Sequence, residues 1–291
     1  MMTIKTFVSE RRAANLLAQI RWRDGVYCPR CRTESRIRYG SYRVFQRYRC
    51  KNCDRSFNDQ TGTVFEHSAV ALRKWFLAIY TYIRFNTRLR RLDVEIDVSY
   101  KTIYRRFLRA LDAPRPRLEG LIEINEFYVK AGHKGRERDG PSRSRGLSTR
   151  GRGTYAEDKP PVFILADRGT GQRYVILAKA ATESTIRLLL ADRQQESITV
   201  YTDGFRAYDP LEADDAFDRE CVVHGDGEYV DGDAHVNSCE SHASLARRWL
   251  SPHRGVSKDR LTPYLRALQL RREVPKKPGK EALKTILETM L

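Results

Sequence analysis

Cys28-Pro29-Arg30-Cys31 and Cys50-Lys51-Asn52-Cys53, with 18 residues between them, decide the first part of the fold. Zinc binds four soft ligands in a tetrahedron, and each Cys-x-x-Cys turn offers two thiolates from one tight loop. Disulfides and an iron–sulfur site are the competing readings; the spacing favours zinc. Four thiolates leave no open position for a substrate, so this Zn²⁺ is structural. The span between the pairs reads as a β-ribbon, Arg36 to Gly40 and Tyr42 to Arg49, turning around Gly40-Ser41. Cys221 and Cys239 lie far along the chain and read as ordinary buried or bystander thiols.

Working outward, 54 Lys and Arg against 37 Asp and Glu give a net charge of +17 in 291 residues, with a sequence pI near 9.8. Such an excess draws polyanions by counterion release at phosphates, which makes nucleic acid the leading partner. A hydrophobic content of 41% excludes wholesale disorder. No run approaches the roughly 18 apolar residues of a membrane span, so a cytoplasmic, nucleoid-associated protein without a membrane role is expected. In a reducing compartment, cysteines serve as thiols or metal ligands rather than as a disulfide framework.

After the ribbon, Leu72, Trp75, Phe76, Ile79, Tyr80 and Ile83 form the stripe of an amphipathic helix. A second helix spans Leu89 to Ile96. A third follows Ser99, a good N-cap, with Ile103, Phe107 and Ala110 inward and Lys101, Arg105 and Arg109 on another face. An apolar side that locks the helix and a cationic side for phosphates and base edges suit a helix-turn-helix, with those three basic residues as DNA contacts. By itself such a stripe reads more readily as a solvated charged face; next to a zinc ribbon, in a chain of net charge +17, it turns toward DNA.

From residue 118 the pattern becomes α/β. Leu121 to Val129 reads as a strand. A basic loop from Lys134 to Arg152 follows, with seven Lys or Arg. Strands Pro161 to Asp167 and Arg173 to Leu177, a helix from Glu183 to Arg193, strand Ile198 to Thr202 ending at Asp203-Gly204, and a helix from Asn237 complete the order. The expected architecture is an α/β multidomain chain: zinc ribbon at 20–62, helix-turn-helix unit at 63–115, RNase H-like mixed-sheet domain at 118–273, and a tail at 274–291. In that tail Leu283, Ile286, Leu287 and Leu291 suggest a short amphipathic helix.

Ile122-Glu-Ile-Asn-Glu, Val200-Tyr-Thr-Asp-Gly-Phe and His235-Val-Asn-Ser-Cys-Glu-Ser-His resemble, in this order after a zinc ribbon, the three catalytic blocks of prokaryotic insertion-sequence transposases. Thr61-Gly-Thr-Val-Phe-Glu and Leu72-Arg-Lys-Trp-Phe extend the resemblance over about residues 20 to 273. It implies a DDE-type enzyme that binds transposon ends and, with two Mg²⁺ ions, cleaves DNA and joins the 3′-hydroxyl to target phosphate, normally as a homo-oligomer. In-line displacement at phosphorus builds charge on attacking and leaving oxygens, which paired cations stabilise. By position, Asp203 corresponds to the second catalytic carboxylate and Glu240 or Asn237 to the third, with Asp203 and Glu240 as magnesium ligands and Lys258 as a nearby base. Asp203-Gly204 is also a common turn dipeptide, and Asn237-x-x-Glu240 is also a capping box.

At the first catalytic position the resemblance implies aspartate, and this chain has Asn125. An amide keeps an oxygen but loses the charge that holds metal. Glu123 shares its strand face and is a candidate substitute, about 7 Å along the strand; Glu126 points the other way. The expectation is a protein that binds zinc and DNA but cleaves poorly. The alternative is a non-catalytic zinc-ribbon DNA-binding regulator derived from such an enzyme.

Overall fold

The computed structural model describes residues 9–108, 111, 120–132, 151–191, 198–222, 235–253, 255–274 and 278–291. Arg109, Ala110, Lys276, Lys277, the end of the Glu183 helix and nearly all of the basic loop lie outside them. The chain divides into two compact units, Met1–Ala113 with Leu270–Leu291, and Pro114–Gln269.

In the first unit, α1 (Glu10–Arg21) starts at Ser9, whose hydroxyl accepts from the Arg12 amide, and buries Ala13, Leu16, Leu17 and Ile20. Three antiparallel strands follow: β1 (Arg36–Tyr42), β2 (Phe45–Cys50) and β3 (Ser56–Asn58). The expected ribbon is present, but its turn falls at Arg43-Val44 rather than Gly40-Ser41. Gly40, at φ 79°, instead sits where the register shifts between Arg38 and Ser41. A glycine in a bulge reaches positive φ without the cost of a Cβ.

Helix α2 (Leu72–Phe85) buries Leu72, Trp75, Phe76, Ile79 and Ile83 as its stripe requires; Tyr80 is half-buried. Its first amides are capped from α1, since Leu72 N and Arg73 N donate to the Glu10 carboxylate at 2.8 and 3.1 Å. Helices α3 (Leu89–Ile96) and α4 (Tyr100–Arg106) are joined by Asp97-Val98-Ser99, with Asp97 left-handed at φ 52°. Ser99 occupies the N-cap position without a side-chain bond; Asp93 accepts from the Tyr100 amide at 3.2 Å instead. The C-terminal stripe forms α8 (Gly279–Glu288), which buries Leu283, Ile286 and Leu287 and packs on α1 and α2.

The second unit is a five-stranded mixed sheet in the order β6-β5-β4-β7-β8, made of β4 (Ile122–Tyr128), β5 (Pro161–Asp167), β6 (Arg173–Leu177), β7 (Ile198–Asp203) and β8 (Phe217–Val222). The first three are antiparallel neighbours; β7 and β8 are added in parallel. This is the RNase H-like arrangement. On one face Ile122, Ile124, Phe163, Leu165, Ile198 and Val200 pack with Ile186 and Leu190 of α5 (Glu183–Leu190). The other face is covered at β4 and β5 by α6 (Asn237–Leu250). Every residue of β5 is therefore buried, which explains its uninterrupted apolar run. Helix α7 (Leu261–Glu273) follows α6 in the chain.

Candidate metal centres and nucleic-acid interface

The four cysteines converge. Cys28 and Cys53 sulfurs are 3.6 Å apart, Cys31 and Cys50 sulfurs 3.5 Å, and all four lie within 4.8 Å of one another. A tetrahedron of thiolates about 2.3 Å from zinc has edges of about 3.8 Å, so the donors fit the ion. The two knuckles repeat one geometry. Cys28 N and Cys50 N donate to Thr33 O and Arg55 O, Arg32 N and Asp54 N donate back to Cys28 O and Cys50 O, and Arg32 and Asp54 take φ of 61° and 60°. The Thr33 amide pulls the Cys31 thiol down to about 6. At Cys53 the Arg55 amide also pulls down, but desolvation and the three neighbouring thiols outweigh it and push the thiol up to about 11. The four sulfurs could hold Zn²⁺, which would remove this conflict by neutralising the thiolates together.

The sheet presents a different picture. β4 and β7 run parallel with Ile122 opposite Val200 and Glu123 opposite Tyr201. The same offset carried two residues further sets Asn125 level with Asp203, on the face that α6 covers. Asp203 ends β7 and accepts from the Phe205 amide at 3.1 Å. Its own carbonyl receives Arg219, which is also paired with Asp209 and Glu212. The Asn125 side-chain oxygen is turned to backbone, accepting from the Glu126 amide at 2.7 Å. Asn237 and Glu240 lie exposed in the first turn of α6.

Glu123 serves another purpose than the substitute ligand it resembled. It is fully buried; Arg168 donates to it at 2.8 Å, and Ser238 N and Cys239 N at 2.8 and 3.3 Å. It therefore caps α6 from the neighbouring strand. The Asn237 capping box does not form, since helix start and N-cap residue Val236 have no side-chain cap of their own. Arg168 also donates to His235 O and lies 3.9 Å over the Tyr201 ring, tying the helix start to β7.

Lys258 is 6% exposed and lies in an ion pair with Asp158 at 3.0 Å, while donating to Tyr155 O at 2.5 Å. Glu126 receives the Tyr208 hydroxyl at 2.7 Å. Burial pushes its carboxyl up, the Tyr208 bond opposes this, and the charge of Asp203 adds to the upward push. Among the described residues no group of three His, Cys, Asp or Glu other than the cysteine quartet comes within metal-binding reach. In the first unit, Ile103 and Phe107 are buried while Lys101 and Arg105 are exposed on α4, the division expected of that helix.

Residues 117–273 match the profile of the ISXO2-like transposase domain, and residues 8–56 that of the transposase zinc-ribbon domain. The chain belongs to the ISXO2-like transposase family. It is 86% identical over 294 residues, covering all of both chains, to an uncharacterized protein in transposable element ISH50 of Halobacterium salinarum. Solved structures similar to this transposase-family chain include a simian T-cell lymphotropic virus intasome (12% identity, 69% of this chain and 75% of that one, TM-score 0.32). The Mos1 strand transfer complex is another (12% identity, 74% of each, TM-score 0.29). At such scores the fold rests on the strand order. No described helix of this family member is long and apolar enough to cross a membrane.

Reasoning from sequence missed the roles of Glu123, Arg168 and Asp158. Glu123 was visible only as a carboxylate on the face of Asn125. Its partners lie 45 and 115 residues away, and no local pattern announces them.

Proposed function

We propose that this chain is an insertion-sequence transposase that binds element ends as double-stranded DNA, in the cytoplasm and as a homo-oligomer, and in which strand cleavage is crippled. Family membership supports the first part, together with the exposed Lys101 and Arg105 on α4 as DNA contacts. The observation that carries the second is the register of β4 and β7, which sets Asn125 level with Asp203. In the family's chemistry this is where two carboxylates share divalent cations. Here one is an amide bonded to its own backbone, and Glu123 is committed to capping α6. These donors do not fit a two-magnesium centre, so we assign the chain the binding half of the family's work. We keep Glu240 or Asn237 as the third position, and Lys258 as the nearby base, only as what the family resemblance implies.

The test is cleavage of labelled element ends with Mg²⁺ or Mn²⁺ by this chain and by Asn125→Asp. Restoring the charge should raise the rate on the order of a hundredfold, about 3 kcal/mol. Equal, robust cleavage by both would sink the proposal. Binding without cleavage in both favours the regulator reading, for which the inward turn of the Asn125 amide is the supporting contact.

A further inference from the structure

We propose that the outward face and tip of the zinc ribbon form a second duplex-DNA contact surface, on which Tyr39 and Tyr42 splint arginines towards phosphate. The proposal rests on the DNA-binding reading above and adds to it a site separate from α4.

Strand β1 is exposed along nearly its whole length, and its apolar side chains share that exposure, with Ile37 at 45%, Tyr39 at 44% and Tyr42 at 50%. Ile37 pairs with Arg49 across the strands. Tyr39 lies on the same face, with the guanidinium groups of Arg47 and Arg49 5.2 and 5.4 Å from its ring centre. At the turn, Arg43 is 5.4 Å from the ring of Tyr42. Between Cys28 and Cys53 the sequence has eight Lys or Arg and one acid, Glu34.

The arginines are not equivalent. Arg49 forms two bonds with Asp54 at 2.6 and 2.5 Å, so its charge is already matched. Among the described residues Arg43 and Arg47 are in no ion pair. Ring contacts restrain their guanidinium groups, which lowers the entropy lost when a guanidinium fork meets phosphate. The same contacts occupy the tyrosine faces. Unpaired bases stack on open aromatic faces, so this surface suits the backbone of a duplex, whose groove accepts a β-ribbon.

The experiment is fluorescence anisotropy of the full chain with a random-sequence duplex of about 30 base pairs, and with one strand of it, across a salt series. Each lost phosphate contact lowers the slope of log K against log salt by about 0.9. Arg43→Ala with Arg47→Ala should lower the slope by about two and weaken binding at least about tenfold, with zinc content unchanged. Arg43→Gln alone, at the turn and away from the metal, should lower it by about one. Arg49→Ala should change it less than Arg47→Ala, and Tyr39→Phe should bind as the native chain while Tyr39→Ala does not. Native affinity and slope in the arginine variants would overturn the proposal and leave the DNA-binding reading standing. Tighter binding of the single strand would also overturn it. If the native chain binds no duplex, the DNA-binding reading itself fails and takes this surface with it.

Discussion

The cysteine quartet and the carboxylate locus of the sheet are both gathered from separate segments, but in different ways. Each cysteine pair is built by one tight turn, and a hairpin only has to fold back for the two turns to meet. Asn125, Asp203 and Glu240 lie on two strands and a helix, and their relative placement depends on both the β4–β7 register and the docking of α6. The first site is redundant in its geometry, with two matching halves. The second has no such redundancy: Asn125 offers an amide beside Asp203, and Glu123, on the same strand face, is already bonded to the start of α6.

The comparison can be broken first at the zinc. Chelation, or Cys50→Ser, should remove on the order of 10 kcal/mol of apparent metal-binding free energy and unfold the ribbon while far-UV signal from the second unit persists. A ribbon that keeps its near-UV spectrum without metal would show that the quartet is dispensable. Next, Glu123→Ala removes the buried carboxylate that pairs with Arg168 and caps α6, and should cost about 3–5 kcal/mol in urea denaturation. A loss under about 1 kcal/mol would mean that the cap is not what holds the helix. Lys258→Met should be milder than Lys258→Ala, because it keeps packing while leaving Asp158 to be protonated, and its destabilisation should shrink towards acid pH.

The smallest effect is expected at Glu126. Its carboxyl is held above the usual range mainly by burial. A folded-state pKa raised above the unfolded one contributes stability that is full below the unfolded pKa and is lost as pH rises through the folded pKa. Glu126→Gln should therefore gain on the native chain as pH rises towards neutrality, and the two denaturation midpoints should converge in acid. A gap that widens in acid would reverse the sign.

Where a signal is local, the sequence reveals it. The two knuckles, the stripe of α2, the turn between α3 and α4, and strands β5 and β7 are all legible from spacing and period. Strand β8 is not, because an edge strand reading Phe-Asp-Arg-Glu-Cys-Val has charged residues where alternation should show. The hairpin turn was misplaced because Gly40 advertises positive φ, whereas Arg43 adopts it at φ 55° with no such mark. At the sheet, period two gave the faces of Glu123 and Glu126 correctly. Their partners, Arg168, Ser238 and Tyr208, arrive from far along the chain, and pairing at that range is fixed by topology alone.

Helix α8 closes the unit that α1 opens, with the whole mixed sheet encoded between them. Synthesis runs from the N-terminus, so the ribbon and the helices α2 to α4 leave the ribosome well before Leu283, Ile286 and Leu287 exist to complete their core. The sheet can mature first although it is translated second. A chain without α8 would then have a finished sheet and an unfinished helical unit, and translation itself becomes the step that decides when that unit is complete.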